Sequence, residues 1–354
     1  MVPSRKEADQ VVRALKSGED WAAATAFLDP TPAGAPDLSI AAVGQAYLRD
    51  RSRTLARSTL LLQARSLDLL NRFVGEQTTA TPPAVTMMSK ALLALGWEWL
   101  LDPRSGRHGR GRLPQSAKRH LETWQAFWAW VHEQDAYNPL VPRARTIELP
   151  ASPGPMPCAP TFEEVDAMIH ALATGQKSQA WLVRLAFLAR YTGGRRTELL
   201  LLPWSAVNER TRALKIAPAT TKGGYGGRMI PIHPKLGELL ATWPRDTPTV
   251  VGAPPFEGVS QDGLHISRGL RRAWTRAGVS KDAWGGHPLH SLRACVRTHL
   301  AQASVHPDVI DAVMGHQGFG TGGRHYTDRA RLWPRIVEAV GLVPDHHLAP
   351  VVSP

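Results

Sequence analysis

A proline-rich segment near the middle of the chain restricts the possible folds more than any other feature of the sequence. Residues 149–160 read LPASPGPMPCAP, with prolines at positions 150, 153, 155, 157 and 160. Proline fixes φ and lacks a backbone N–H, so the segment is expected to be extended and semi-rigid. The chain of 354 residues is long enough to form two separate cores. We therefore predict a linker at 149–160 with one domain on each side.

The region before this linker has apolar residues at helical spacing. Residues 38–148 contain four such runs, around Tyr47, Phe73, Trp99 and Trp128. The pattern predicts a small bundle of four amphipathic helices with the tryptophans in its core. Residues 1–37 predict two short helices and a Pro-rich linker, too little for a large domain of their own.

The region after the linker mixes helical patterns with two short β-type runs. Thr161 and Glu164 have the spacing of a capping box, which predicts the start of a helix. ALKIA at 213–217 and RMIPI at 228–232 flank a glycine-rich segment and predict a β-hairpin whose loop presents Lys222. The predicted fold class is therefore mainly α with a small β-sheet, with a second domain at 161–343 and a flexible tail at 344–354.

The charge of the chain indicates a polyanionic partner. The formal net charge is +12 and the isoelectric point is about 10.2, as expected for a protein that neutralises nucleic-acid phosphates, although a basic surface of another kind is the alternative. Arginines interleaved with glycines at 104–112 suit a phosphate backbone better than a core. The expected DNA contacts are Arg104, Arg107, Arg110, Arg112, Lys118 and Arg119.

Cysteine usage and hydropathy indicate the cellular compartment of the protein. Cys158 and Cys295 lie in different regions, so neither a disulfide framework nor a four-cysteine zinc site is expected. No apolar run reaches the roughly 18 residues of a membrane span, and the N-terminus lacks a signal-peptide pattern. Asp-His-His at 345–347 has no partners at metal-ligand spacing. We expect a cytoplasmic protein with no metal, no cofactor and no membrane association.

Polar residues suited to phosphate chemistry gather after residue 287. His290 and Arg293 stand three residues apart in a helical pattern, so both can bind one anion from the same helix face. A later apolar helix is predicted to end at Gly315 in a left-handed conformation, which would carry His316 toward open space. A glycine-rich loop at 317–323 then leads to Tyr326, whose phenol can act as a nucleophile. Each feature alone is ordinary, since most histidines and tyrosines serve packing or surface roles.

One further motif precedes the hairpin. The sequence TGGRRTEL at 192–199 predicts a tight turn followed by a helix with arginine in its first turn. A cation at a helix start is unfavourable for the helix dipole, so the charge is expected to serve another purpose. An exposed arginine pair is the alternative.

These motifs together resemble the tyrosine recombinase (phage integrase) family. The resemblance rests on their order, TGGRRTEL, then TK before RMIPI, then HSLR, then MGH, then a tyrosine ten residues beyond that histidine. It spans residues 161–343, and the four-helix region with Asn138-Pro139 resembles the SAM-like core-binding domain of the family. It therefore implies a core-binding domain followed by an α+β catalytic domain.

The resemblance implies six catalytic residues and a mechanism. Arginines would hold the negative charge of the phosphoryl group, histidines would assist the phenol, and the lysine would protonate the leaving 5′ oxygen. The family pattern also sets Glu198 as a structural partner of its first arginine. The implied catalytic residues are Arg195, Lys222, His290, Arg293, His316 and Tyr326.

Two departures from the family pattern concern the placement of Tyr326. The interval from His316 to Tyr326 is one residue longer than in the commonest members, and Tyr-Thr-Asp stands where Tyr-Thr-His is usual.

The implied function is a site-specific recombinase that cuts and rejoins double-stranded DNA through a 3′-phosphotyrosyl intermediate, without metal or ATP. The implied working form is a homotetramer in which the helix around Ile336 docks on a neighbouring subunit. A type IB-like topoisomerase and a catalytically silent DNA-binding protein are the alternatives.

Overall fold

A computed structural model describes the structure of the chain at residues 37–106, 111–143, 148, 158–175, 179–217, 227–254, 259–316 and 331–346. The chain divides into two compact units, Met1–Pro155 and Met156–Pro354. The short helices predicted before residue 37 lie outside the described residues, as does most of the proline-rich segment.

The described part of the first unit contains the four predicted helices. They are α1 (Ile40–Ser52), α2 (Arg57–Thr78), α3 (Lys90–Leu101) and α4 (Pro114–Glu133), with short 3-10 turns at Val85–Met87, Pro103–Ser105 and Asn138–Leu140. Ser39 caps α1 and Ser89 caps α3, each accepting a hydrogen bond from the backbone N–H three residues on. Proline at the first position of α4 removes an N–H that the helix cannot use.

Aromatic side chains fill the core of this unit. Trp124 and Trp128 are buried, and the ring of Trp124 stacks on Phe73 with centroids 5.4 Å apart. The indole N–H of Trp124 donates to the carbonyl of Ser66 at 2.7 Å, which satisfies its polar atom inside the bundle. Leu95 of α3, by contrast, is 52% exposed. The expected core of tryptophans is confirmed.

The described part of the second unit is helical around a small sheet. Its helices are α5 (Phe162–Ala173), α6 (Ala180–Thr192), α7 (Arg196–Leu200), α8 (Pro234–Thr242), α9 (Val259–Arg276), α10 (Lys281–Trp284), α11 (His290–Gln302), α12 (Pro307–Met314) and α13 (Trp333–Gly341). The strands β1 (Val207–Asn208), β2 (Ala213–Ile216) and β3 (Arg228–Pro231) form an antiparallel sheet in the order β1-β2-β3. The fold class, mainly α with a small sheet, is confirmed, as are both strands of the predicted hairpin.

Local sequence signals explain how these elements begin and pair. Thr161 and Glu164 form the predicted capping box, with bonds of 3.2 and 2.9 Å between side chains and backbone N–H groups. Leu214 on β2 pairs with Ile230 on β3, and both are buried. The hairpin loop at 218–226, which contains Lys222, lies outside the described residues.

The core of the second unit packs α6 against α11 and α12 against α13. Arg190 on α6 is fully buried and binds Asp166 of α5 through Nε at 2.5 Å and Nη2 at 3.0 Å. Its Nη1 donates to the carbonyl of Pro344 at 2.8 Å, so the start of the segment expected to be a flexible tail contacts α6. Ile336 and Val340 of α13 are buried in the core of their own unit.

Within the described ranges, no helix combines the length and the apolar character that crossing a bilayer requires.

Candidate active site

Two glycine turns bring the motif residues of the second unit together. Gly193 ends α6 and Gly315 ends α12, both in left-handed conformations with φ of 58° and 65°. A Cβ atom on Gly193 would lie 2.6 Å from Cε of Met314, and one on Gly315 would lie 2.6 Å from Cζ of Arg228. The two turns can approach these side chains only because neither carries one of its own.

Arg195 lies at the start of α7 and reaches the end of α12. Its backbone N–H and its Nη1 donate to Glu198 at 2.8 Å each, and its Nη2 donates to the carbonyl of Gly315 at 3.0 Å. The side chain remains 29% exposed, so it is oriented by protein contacts yet open to a ligand. Arg196, the next residue, is exposed on the surface.

Glu198 is buried at the centre of the cluster and also binds Arg228. Arg228 begins β3 and donates to both carboxylate oxygens of Glu198, at 2.9 and 2.8 Å. Burial favours a higher pKa for Glu198, but the hydrogen bonds and charges of Arg228 and Arg195 outweigh it and lower this pKa to about 2. Glu198 is therefore a carboxylate at neutral pH.

Arg228 was not predicted as a site residue. It shares the inward face of β3 with Ile230, and both are buried. A charged residue in phase with the apolar face of a strand indicates a buried partner, which is the signal that could have identified it.

Arg293 anchors α11 to both glycine turns. Its Nη1 donates to the carbonyl of Gly193 at 2.6 Å and its Nη2 donates to that of Met314 at 2.7 Å. Only 5% of the residue is exposed. Burial, followed by the charges of Arg195 and Arg228, lowers the pKa of Arg293 to about 10, so it remains a cation at neutral pH.

His290, at the start of α11, is more exposed than Arg293. The pKa of His290 is lowered by partial loss of water around the ring and then by the charges of Arg293, His287 and Arg195. The charge of Arg293 thus acts on His290, as expected for two residues on one helix face. His290 is exposed, whereas Arg293 is buried.

His316 was expected to face open space, but its ring is held by side chains and is only 31% exposed. Its Nδ1 lies 3.1 Å from Oδ1 of Asp311, and its Nε2 lies 2.8 Å from Nη2 of Arg293. Nη1 of Arg297 lies 2.8 Å from Nδ1 of His316 and 3.5 Å from Oδ1 of Asp311. Burial and the charge of Arg293 lower the pKa of His316 despite the opposing effect of Asp311, so the neutral ring is favoured.

The tautomer of His316 follows from its partners. A neutral imidazole donates from one nitrogen and accepts at the other. Arg293 can only donate and the carboxylate of Asp311 can only accept, so the tautomer that satisfies both accepts at Nε2 and carries its proton on Nδ1. Arg297 then interacts with the charge of Asp311 and donates no second hydrogen bond to the ring.

The site carries excess positive charge. Four arginines surround two carboxylates, and two backbone carbonyls at the end of α12 accept from these arginines. Such a cluster of planar donors suits a phosphate or a carboxylate ligand. In the described parts of the chain, no group of three or more His, Cys, Asp or Glu side chains is arranged to hold a metal ion.

The remaining predicted residues fall into two groups. Lys222, Tyr326, Arg107 and Arg110 lie outside the described residues. The side chain of Arg104 is 86% exposed and pairs with Asp102 at 2.7 Å. Arg112 turns its Nη1 to the carbonyl of Ser105 at 2.5 Å and is partly buried, while Lys118 and Arg119 lie on α4 with Arg119 exposed.

A stripe of arginines on α9 was not predicted. It consists of four exposed residues that line one surface groove together with Thr275. Within the described residues, none of the four forms an ion pair with a carboxylate. The sequence SRGLRRAWTR at 267–276 carried the signal, because arginines three to four residues apart share a helix face. The arginine stripe comprises Arg268, Arg271, Arg272 and Arg276.

Comparison with known proteins identifies the family of the second unit. The phage integrase family matches residues 160–331. A sequence comparison with curated proteins found no match.

Solved recombinase structures share the fold at low sequence identity. A lambda integrase tetramer bound to a Holliday junction has a TM-score of 0.57 at 17% identity, covering 86% of this chain and 87% of that one. A lambda integrase dimer bound to a COC′ core site has a TM-score of 0.57 at 17% identity, covering 78% and 94%. The XerH site-specific recombinase bound to its difH substrate has a TM-score of 0.55 at 14% identity, covering 94% and 96%. The second unit of this chain therefore contains a domain of the phage integrase family, at residues 160–331.

Proposed function

We propose that this protein is a site-specific DNA recombinase that cuts and rejoins DNA through a 3′-phosphotyrosyl intermediate. The observation that carries the proposal is the convergence of Arg195, Arg293 and His316, which come from three separate segments, at one cationic site. Membership of the second unit in the phage integrase family supports the same reaction class.

The two arginines would stabilise the transition state. Attack on a phosphodiester passes through a pentacoordinate phosphoryl group that carries additional negative charge. Arg293 is held in place by two backbone carbonyls and Arg195 by Glu198, so neither has to be reoriented when DNA binds. Planar guanidinium groups suit the oxygens of this phosphoryl group.

Tyr326 is the proposed nucleophile. A free phenol has a pKa of about 10 and attacks poorly at neutral pH, so a base must take its proton. His290 and His316, both with lowered pKa values, are the proposed acceptors and hydrogen-bond donors around the phosphate. The phenol oxygen forms a bond to phosphorus as the bond to the 5′ oxygen breaks, and Lys222 gives a proton to that oxygen.

The second step reverses the first. A 5′ hydroxyl of another strand attacks the phosphotyrosine, the bond to Tyr326 breaks, and the phenol regains its proton. Because the phosphotyrosyl bond conserves the energy of the phosphodiester, this proposal invokes neither ATP nor a metal ion nor a cofactor.

Double-stranded DNA is the proposed partner, bound by basic side chains of both units in the cytoplasm. The first unit would contribute Arg104, Arg107, Arg110, Arg112, Lys118 and Arg119, and the second the arginine stripe of α9. A homotetramer is the proposed working form, since a lambda integrase tetramer bound to a Holliday junction shares the fold.

Covalent capture tests the proposal without knowledge of the target site. A pool of nicked duplexes with a randomised centre would be incubated with the protein and resolved under denaturing conditions. A cleaved strand loses its short 5′-hydroxyl fragment at the nick, so the protein remains attached to DNA. The wild-type protein and a Tyr137→Phe control are expected to give a covalent band, and Tyr326→Phe none.

Three outcomes separate the alternatives. A band that persists in Tyr326→Phe would disprove the assignment of the nucleophile. DNA binding without any band in the wild type would favour a catalytically silent DNA-binding protein. Relaxation of supercoiled DNA without strand exchange between two duplexes that carry the captured site would favour a type IB-like topoisomerase.

A further inference from the structure

Arg228 is a buried arginine with no part in the chemistry proposed above. It is 6% exposed, and its guanidinium lies between the carboxylate of Glu198 and the Cα of Gly315. Its Nε is buried and has no hydrogen-bond partner within the described residues. Both of its Nη atoms donate to Glu198, so Arg228 acts on the site through this carboxylate.

Glu198 joins Arg228 to Arg195 through both of its oxygens. Oε1 accepts from Nη1 of Arg195 at 2.8 Å and from Nη1 of Arg228 at 2.9 Å. Oε2 accepts from the backbone N–H of Arg195 and from Nη2 of Arg228, each at 2.8 Å. Rotation of this carboxylate would therefore break bonds to both arginines together.

The remaining contact of Arg195 also lies beside Arg228. Nη2 of Arg195 donates to the carbonyl of Gly315, and the guanidinium of Arg228 lies against the Cα of that glycine. Both anchors of the Arg195 side chain, Glu198 and Gly315, thus lie next to Arg228.

We infer that Arg228 is a positioning residue, which holds Glu198 as an ionised, correctly oriented carboxylate and thereby directs Arg195 toward the scissile phosphate. The inference rests on the proposed function, because it assigns Arg195 to that phosphate. It also gives a role to an arginine whose two Nη atoms both donate to one buried carboxylate.

Removal of Arg228 should make the orientation of Arg195 depend on pH. The charged groups that face Glu198 are Arg195 from the turn before α7, Arg228 from β3 and Arg293 from α11. Burial raises the pKa of Glu198, and the neighbouring arginines lower it. Arg228→Met removes one of these cations, so the pKa of Glu198 rises. As the pH falls, Glu198 becomes protonated and releases Arg195.

The test compares the rates of covalent adduct formation at neutral and mildly acidic pH. We expect Arg228→Met to react about 10²-fold more slowly at neutral pH, the typical effect of a misplaced electrostatic group. The ratio of wild-type to variant rates should grow as the pH falls, since protonation of the histidines affects both proteins alike. In Arg228→Met combined with Glu198→Gln, this ratio should be independent of pH.

Controls separate positioning from stability. Arg190→Met removes another buried arginine from an ion pair and should lower thermal stability. Its ratio of wild-type to variant rates should not change with pH. Arg228→Lys retains the positive charge and replaces the methionine variant in the test if that variant fails to fold. It should form the covalent adduct more slowly than the wild type, with little pH dependence of the ratio. A pH-independent ratio for Arg228→Met, or the same pH dependence in Arg190→Met, would overturn the inference.

A readout without catalysis distinguishes this inference from the proposed function. The 13C NMR shift of the Glu198 carboxyl should show it ionised across this pH range in the wild type and titrating in Arg228→Met. If the wild type forms no adduct, the proposed function fails. If Glu198 stays ionised in Arg228→Met, the positioning role fails.

Discussion

Nη2 of Arg293 lies 2.8 Å from Nε2 of His316, a contact between residues 23 positions apart in the chain. It joins the end of the first turn of α11 to the second residue after α12. A phosphate that binds Arg293 must share this guanidinium with the imidazole, or replace it. Phosphate binding and the position of the proposed proton acceptor are therefore linked through one donor group.

The two adjacent arginines in TGGRRTEL should differ sharply in function. Arg195 points to Glu198 and Gly315, whereas Arg196 is exposed. We expect Arg195→Gln to lower the rate of covalent adduct formation by about 10²-fold or more, because a donor to the transition-state charge is lost. Arg196→Gln should react within a small factor of the wild type. Equal losses in both variants would contradict the assignment.

The arginine stripe of α9 should contribute affinity for DNA without sequence preference. Arg268→Gln and Arg272→Gln should each weaken binding to a random-sequence duplex and reduce the slope of log K against log salt by about 1. Fluorescence anisotropy at several salt concentrations measures this slope. Arg245→Gln, which removes an exposed arginine paired with Glu209, is the control and should leave the slope unchanged. An unchanged slope in the stripe variants would show that α9 does not contact phosphates.

Gly315→Ala should destabilise the second unit more than Gly278→Ala. Both glycines have positive φ, 65° and 73°, so both substitutions carry the backbone cost of roughly 1–2 kcal/mol for a residue with a Cβ. A Cβ on Gly278 meets nothing within 4 Å, whereas one on Gly315 overlaps the Arg228 guanidinium. Urea unfolding of the two variants isolates this steric contribution. Equal losses would mean that Arg228 can move aside freely.

His120 should make the stability of the first unit sensitive to acid. The residue is 9% exposed, and its Nδ1 lies 2.7 Å from the hydroxyl of Ser66. Burial, followed by the charge of Arg112, lowers the pKa of His120 from 6.5 to about 4. Below pH 6.5, His120 binds a proton in the unfolded chain but stays neutral in the folded unit. The free energy of unfolding therefore falls as the pH drops toward about 4.

The size of this effect can be measured against a variant that does not titrate. The full shift corresponds to a loss on the order of 3 kcal/mol. His120→Asn keeps a hydrogen-bonding group near Ser66 and should remove this part of the pH dependence. Denaturant unfolding followed by tryptophan fluorescence at several pH values compares the two proteins. Parallel curves for the wild type and the variant would disprove the role of His120.

Local signals account for the parts of the fold that the sequence predicted. The helices of the first unit follow from apolar spacing, and the start of α5 follows from the capping residues Thr161 and Glu164. The turn before α7 follows from Gly193, which adopts the left-handed conformation that its position requires. These features depend on residues a few positions apart, which a single sequence displays directly.

Contacts between distant segments account for what the sequence did not show. His316 was expected in open space because nothing in its motif marks Asp311 or Arg297 as partners of its ring. Arg228 binds a carboxylate 30 residues earlier in the chain, and periodicity alone does not say which buried group an inward arginine meets. Pairings of this kind depend on how helices and strands pack, so they require the three-dimensional structure.

The overlap between a Cβ at position 315 and the guanidinium of Arg228 restricts the residues that both positions can hold. Glycine at 315 leaves the volume that the arginine occupies, so the two positions share one space. Among related sequences, a side chain at the position of Gly315 should therefore occur together with a shorter residue at the position of Arg228. These two alignment columns should therefore covary, because the residue at the end of the helix and the residue at the start of the strand occupy the same volume.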